Sequence, residues 1–319
     1  MTEKEQAENA PWERELITKL ATAALKEQRR ARLWGIFFKL FFFAYLTFFV
    51  VLAIDWKGRA DVGGGKHTAM VEVSGVISPG GDASADKVTT ALQAAFKDKN
   101  TQGVVMRINS PGGSPVQAQT IYDEMRRLRT KYPDIPLYAV VEDICASGGY
   151  FIAVGADRIY VSKSSLVGSI GVIMNGFGFT GLMDKLGVDR RLITSGENKA
   201  FLDPFSPVEP KHVEFAKKLA EEIHQQFISV VREGRGKRLK ETPETFSGLI
   251  WSGQKSIELG LVDGIGSLDY VAREVVKAEE IVDYTQKENF AEKFAKRFGA
   301  SVGAAIAAYA VRVSPNLLQ

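Results

Sequence analysis

Cysteine is nearly absent from this chain. Cys145 is the only one in 319 residues, so no intramolecular disulfide can form, and no second Cys or nearby His gives it a metal-ligand spacing. Histidine is almost as scarce. His67, His212 and His224 lie far apart, His67 in a glycine-rich stretch and the other two in a charged, helix-like one, so each reads as solvated surface and neither metal nor cofactor is expected. Neither sign of charge dominates. With 41 basic against 38 acidic residues and a net charge of +3, the chain lacks the basic stripe of a nucleic-acid surface. A hydrophobic content of 45% excludes disorder and leaves stability to packing or oligomerisation.

One long apolar run is present. Residues 33–54 read LWGIFFKLFFFAYLTFFVVLAI, matching the ~20 residues that cross a hydrocarbon layer of ~30 Å. Its one charge, Lys39, lies near an end, where the stem can snorkel to the headgroups. Lys26, Arg29, Arg30 and Arg32 precede the run, while Asp55, Lys57, Arg59 and Asp61 follow it. The positive-inside rule then puts the N-terminus in the cytoplasm and the remainder outside, as in a single-pass protein of a bacterial inner membrane. A cleaved signal peptide is the alternative, but the run exceeds a usual h-region and no small-x-small site follows. The expected organisation is a cytoplasmic tail over 1–32, helical from Glu13 to Arg32, an anchor in the bilayer over 33–54, and a linker over 55–68. A globular domain over 69–280 and a C-terminal helical tail over 281–319 follow. The apolar run 301–313 is too short to span a bilayer unaided and reads as a docking helix.

From Ala69 onward short β-rich runs alternate with helical stretches: AMVEVSGVI, VTTALQAAFKD, GVVMRIN, AQTIYDEMRRLRTKY, IPLYAVVED, SGGYFIAVGA and RIYVS. That alternation gives βα units around a largely parallel, buried sheet, so the fold class is α/β. Apolar residues at Val213, Phe215, Leu219, Ile223, Phe227 and Val230 predict an amphipathic helix over 211–232 for packing or subunit contact.

Strand ends that feed glycine turns are where α/β proteins place their sites. Two qualify here, Asn109-Ser110-Pro111-Gly112-Gly113-Ser114 and Ala146-Ser147-Gly148-Gly149. Ser147 would open a helix, where free N–H groups and the macrodipole favour developing negative charge. Gly148 and Gly113 would supply two N–H donors to a tetrahedral oxyanion. The plainer reading is that Ser147 caps a helix and the glycines close turns.

A serine nucleophile needs a base, and no histidine falls between His67 and His212. A lysine base is the better hypothesis. It requires an apolar surround that lowers the amine from ~10.4 to about 7–8. Most lysines lie in charged stretches, but Lys199 precedes Ala200-Phe201-Leu202-Asp203-Pro204-Phe205, an aromatic run suited to desolvating it. A surface loop lysine is the alternative.

Five strings, INSPGGS, CASGGYFIA, SLVGSIGVI, SGENKAFLDPF and WSGQKSIELGLVDGIG, occur in that order between Met70 and Val276. Together they resemble the signal peptide peptidase A family in its short bacterial form. The resemblance implies a Clp protease/crotonase-like spiral of βα units and a Ser-Lys dyad, with Ser147 as nucleophile and Lys199 as general base. It implies that Ser169 orients the lysine and that Gly113 and Gly148 line the oxyanion hole. It further implies a homo-oligomeric ring with active sites shared between subunits, and hydrophobic peptides, above all signal-peptide remnants, as substrates.

Three other functions fit less well. A Ser-His-Asp protease of the Clp type would need a histidine about 25 residues beyond Ser147, where Gly171-Val172-Ile173-Met174-Asn175 has none. Acyl-CoA chemistry would find little substrate outside the cytoplasm. A non-catalytic membrane scaffold needs neither Ser147 nor Lys199. A broader membrane-protein quality-control protease is not separable from a signal-peptide degrader on sequence.

Overall fold

The computed structural model describes residues 3–53 and 65–286. Two units are distinct and are treated separately. The first is represented by helix α1, Glu3–Ala53. At ~1.5 Å per residue its 51 residues extend about 75 Å. It runs unbroken across the expected boundary between residues 32 and 33, starting well before Glu13. Leu33, Phe37, Phe43 and Phe48 all stand exposed on it, and the helix has the length and composition of a membrane span. The last residue of the expected anchor, residue 54, most of the expected linker, residues 55–64, and most of the C-terminal tail, residues 287–319 with its docking helix, lie outside the described residues.

The second unit contains β1 His67–Ser74, α2 Ala85–Lys97, β2 Thr101–Ser110, α3 Pro115–Lys131, β3 Leu137–Ala146, α4 Gly148–Ala153, β4 Arg158–Val161 and β5 Leu166–Gly168. After these come α5 Thr180–Leu186, α6 Pro210–Arg235, β6 Ile250–Ser252, α7 Gly253–Glu258, β7 Gly264–Ile265, α8 Leu268–Tyr270 and β8 Ile281–Asp283. The strands form one mixed sheet in the order β6-β5-β3-β2-β1-β8, with β4 on β3 and β7 on β4. Every pair is parallel except β5 with β6.

Strand β3 serves two neighbours in turn. Tyr138 to Val141 pair with β4, and Ile144 to Ala146 pair with β5. The fork at Glu142-Asp143 is held by Ser165, whose Oγ accepts from the Ser162 N–H and donates to the Glu142 carbonyl. This division leaves the last residues of β3 on a separate course beside β5, and Ser147 follows directly.

The apolar alternation of the strands buries both faces. Val104, Met106 and Ile108 enter the main core, while Val105 and Val140 pack with Tyr160 and Val271 on the other side. Helix α3 starts at Pro115 after the cap Ser114, which accepts from the Gln117 N–H, and buries Ala118, Ile121, Tyr122, Met125 and Leu128 at helical spacing. Helix α6 extends beyond the expected 211–232, and its buried apolar residues, Phe227, Ile228 and Val231, all lie in its second half.

Two histidine expectations are corrected. His67 is buried at the start of β1, its Nδ1 3.1 Å from the Gly65 carbonyl oxygen and its Nε2 3.1 Å from the Tyr284 hydroxyl. Pairing of β1 with β8 creates that site, which local composition could not reveal. His212 is buried too, edge-on to Phe201 and 3.3 Å from Asn198 Oδ1.

The end of α6 is fastened by charge. Arg235, 1% exposed, donates to both carboxylate oxygens of Asp263 at 2.8 and 2.9 Å and to the Gly260 carbonyl. Burial alone would raise the Asp263 carboxyl, but these bonds, the Ile159 N–H and Arg238 hold it below the ordinary value. Its contribution to stability is therefore complete above the unfolded value of about 4 and declines as pH falls below it. Asp263→Asn strands a buried guanidinium and should destabilise the domain by about 3 kcal/mol or more at neutral pH. Urea unfolding checks this, and the difference from wild type should shrink as wild-type Asp263 is protonated.

Candidate active site

The glycine turns predicted at the ends of β2 and β3 meet. Ser147 adopts φ 51°, ψ −122°, a conformation usual for glycine at the first central position of a type II′ turn, and its strain is of order 1–3 kcal/mol. Bonds on both sides hold it. Its N–H donates to the Gly168 carbonyl at 2.8 Å, and its carbonyl accepts from the Phe151 N–H at 2.9 Å as α4 begins.

The β2 turn is shaped by Ser110, whose Oγ donates to the Gly75 carbonyl at 2.6 Å and accepts from the Gly112 N–H at 3.1 Å. Ile77 then clamps the turn, donating to Gly112 and accepting from Ser114 at 2.9 and 2.8 Å. Gly112 and Gly113 have φ of 102° and 151°. A Cβ on Gly112 would lie 2.7 Å from the Ser147 Cβ and 2.8 Å from the Gly148 nitrogen, and one on Gly113 would lie 2.1 Å from the Ile77 oxygen. Only glycine fits such an approach.

Gly113 and Gly148 are close neighbours, since a Cβ on Gly148 would sit 3.4 Å from the Gly113 nitrogen. Neither N–H donates within the described backbone bonds. Both glycines and Ser147 line a cavity of about 480 Å³. Phe151, Val172, Ile223 and Phe227 give it apolar walls, the two phenylalanine rings meeting at 5.2 Å. An acyl group placed here would meet a hydroxyl, two free N–H donors and an apolar pocket.

The model of Peptidase family S49 matches residues 129–282, and that of Clp protease matches residues 71–166. A putative protease of Synechocystis is 35% identical over 202 residues, 63% of this chain and 70% of the relative. This chain belongs to peptidase family S49. An Enterococcus faecium relative of this family, called putative signal peptide peptidase SppA, is 31% identical over 69% of this chain and 66% of its own. A Brucella abortus protein called Na(+)/H(+) antiporter NhaA is 43% identical over 62% of this chain, which spans only 28% of that protein's length.

The other expected S49 site residues are distributed differently. Ser169 follows β5 with φ 51°, its N–H donating to the Leu249 carbonyl at 2.7 Å. Lys199 is exposed in a turn, its N–H donating to the Gly196 carbonyl at 3.1 Å, and it does not line the cavity. The aromatic run after it does not enclose it within one chain: Phe201 packs on His212 and Phe215, while Phe205 stacks on Phe179 beneath Arg190. Cys145 is fully buried, and burial pushes its thiol well above the usual range, so it is no rival nucleophile. Among the described residues no cluster of three or more His, Cys, Asp or Glu side chains is arranged for a metal.

Sequence reasoning missed His224. It was expected on solvated surface but is half-buried, with Nε2 3.0 Å from the Ile170 carbonyl oxygen. Its place between Ile223 and Phe227 on one helix was the available signal.

Because a Cβ on Gly112 would overlap the Ser147-Gly148 turn, Gly112→Ala should reduce peptidase kcat about 100-fold or more if the Gly148 N–H serves as an oxyanion donor. Steady-state kinetics on folded variant checks this; unchanged kcat would mean the close approach is irrelevant to catalysis.

Proposed function

We propose that this chain is a membrane-anchored serine endopeptidase that degrades remnant signal peptides and other hydrophobic peptides, with Ser147 as nucleophile and Lys199 of a neighbouring copy as general base. The observation that carries the reading is the strained Ser147 beside two unengaged glycine N–H groups over an apolar cavity.

In this mechanism Ser147 Oγ attacks the scissile carbonyl carbon as the lysine amine takes its proton. The N–H groups of Gly113 and Gly148 receive the oxyanion. The lysine returns the proton to the leaving amine, and water then cleaves the acyl-enzyme by the same route in reverse. Ser169 orients the amine. The apolar walls suit hydrophobic side chains, and α1 as an anchor, with its N-terminus cytoplasmic, concentrates the domain where such peptides partition.

Sharing between copies is supported by the segment that bears Lys199. Helix α5 buries none of its residues, and Phe177 and Ile193 are 82% and 96% exposed. So many apolar groups in water mark a contact surface. A head-to-tail contact of this kind repeats from copy to copy and closes as a ring where its rotation divides a full turn.

The test is hydrolysis of a hydrophobic signal-peptide-derived substrate. Ser147→Ala and Lys199→Ala should each lower kcat/KM by about 10⁴ or more. An equal mixture of the two, assembled at random, should recover about one quarter of the wild-type sites, because a site needs its serine from one variant and its lysine from the other. Mixed assemblies without recovery would place the dyad within one chain; full activity in Lys199→Ala would mean another base.

A further inference from the structure

Helix α6 carries a side chain that the Ser147 and Lys199 chemistry leaves without a task. His224 Nε2 lies 3.0 Å from the carbonyl oxygen of Ile170. A carbonyl only accepts, so the ring donates an Nε2–H. The adjacent Ile223, Gln226 and Phe227 line the Ser147 cavity, as do Gly171 and Val172 just beyond Ile170. His224 thus bonds to the chain that becomes the cavity wall.

That chain is conformationally expensive. Gly168 has φ 121° and Ser169 φ 51°, and a positive φ at a non-glycine residue costs roughly 1–2 kcal/mol. Such residues persist only where their surroundings over-determine them. Three elements do so here. The Gly168 carbonyl accepts from the Ser147 N–H at 2.8 Å, the Ser169 N–H donates to the Leu249 carbonyl at 2.7 Å, and the Ile170 carbonyl accepts from His224. The first two bonds are backbone to backbone. The third alone is made by a side chain, to the carbonyl of a residue whose side chain is fully buried.

We propose that His224 is a positioning residue for the Ser147 site: its Nε2–H bond to the Ile170 carbonyl locks the Gly168–Val172 segment, holding Ser169 and the cavity wall in register with the nucleophile turn. The role rests on Ser147 being the nucleophile, and not on which group is the base. An imidazole protonated on Nε2 and an imidazolium both donate this bond, so the lock is kept whichever form is present. A histidine acting as general base would instead lose function on protonation.

The experiment uses the full chain in detergent, with His224→Gln, whose amide nitrogen reaches the Nε2 position, and His224→Leu, which has no donor. Ser147→Ala is the baseline. Cleavage of a hydrophobic signal-peptide-derived peptide, acylation by p-nitrophenyl acetate and the thermal midpoint are measured, with the pH profile of cleavage. His224→Gln should stay within about threefold of wild type with an unchanged profile, while His224→Leu should lose about tenfold or more in both reactions. If His224→Leu does not fold, His224→Asn, too short to reach Ile170, takes its place with the same expectation. Wild-type rates in Leu or Asn overturn the proposal. So does a folded His224→Gln as inactive as Ser147→Ala, which would make the imidazole a base. Full activity in Lys199→Ala removes the proposed dyad but leaves this comparison intact, because the ester reaction reads Ser147 directly; a wild type that acylates no faster than Ser147→Ala removes the reading of Ser147 itself.

Discussion

Two chain reversals share a space too small for any side chain, and the remainder of the site depends on that contact. Gly112 faces the Ser147 Cβ and the Gly148 nitrogen, Gly113 is pressed on the Ile77 backbone, and Gly149 passes the Ser110 carbonyl, where a Cβ would lie 3.0 Å away. Because β2 and β3 are parallel neighbours, both turns leave the sheet at the same, C-terminal end of its strands. Helix α4 then starts at Gly148, so its first N–H groups are presented beside Ser147. The strain at Ser147 is sustained by bonds from β5 and α4, and that is how a serine keeps a conformation that glycine would take more readily.

Much of this was legible in the sequence because it depends on local signals. Gly112-Gly113 and Gly148-Gly149 are turn residues at the ends of apolar runs, and the alternation of β-rich and helical stretches gives a largely parallel α/β sheet; its Clp protease-like character was carried by the family resemblance and agrees with the Clp protease match over residues 71–166. The histidines were misread because their burial is non-local. His67 is covered when β8 pairs with β1 more than two hundred residues later, and His212 is covered by Phe201 across a turn. His224 was obscured by the charged residues around it on α6, although its apolar neighbours at i−1 and i+3 pointed inward. The fork in β3 was hidden as well, since the exposed Glu142-Asp143 pair where the strand divides reads in sequence as a strand end, and the Ser165 bond that holds it comes from a distant turn.

The segment between Gly171 and Pro210 has a different character from the sheet. Its apolar side chains stand in solvent, and Lys199 among them has no side-chain partner among the described residues. A lysine can act as a base only where water is excluded, which a single chain does not achieve here. Completion by a second copy would meet both needs together, covering the apolar surface and enclosing the amine. On the proposed reading, the rigid half of the site would belong to the sheet and the half completed by a second copy to this arm.

The central claim is that Ser147, activated by its turn and faced by two glycine donors, forms the acyl bond. Reaction of the assembled protein with a peptidyl phosphonate carrying a hydrophobic side chain, followed by mass-spectrometric mapping of the adduct, tests it most directly. A stoichiometric adduct on the peptide containing Ser147, abolished by peptide substrate in competition, is the predicted result. An adduct on any other residue, or continued peptide cleavage by protein whose Ser147 is fully modified, would contradict it.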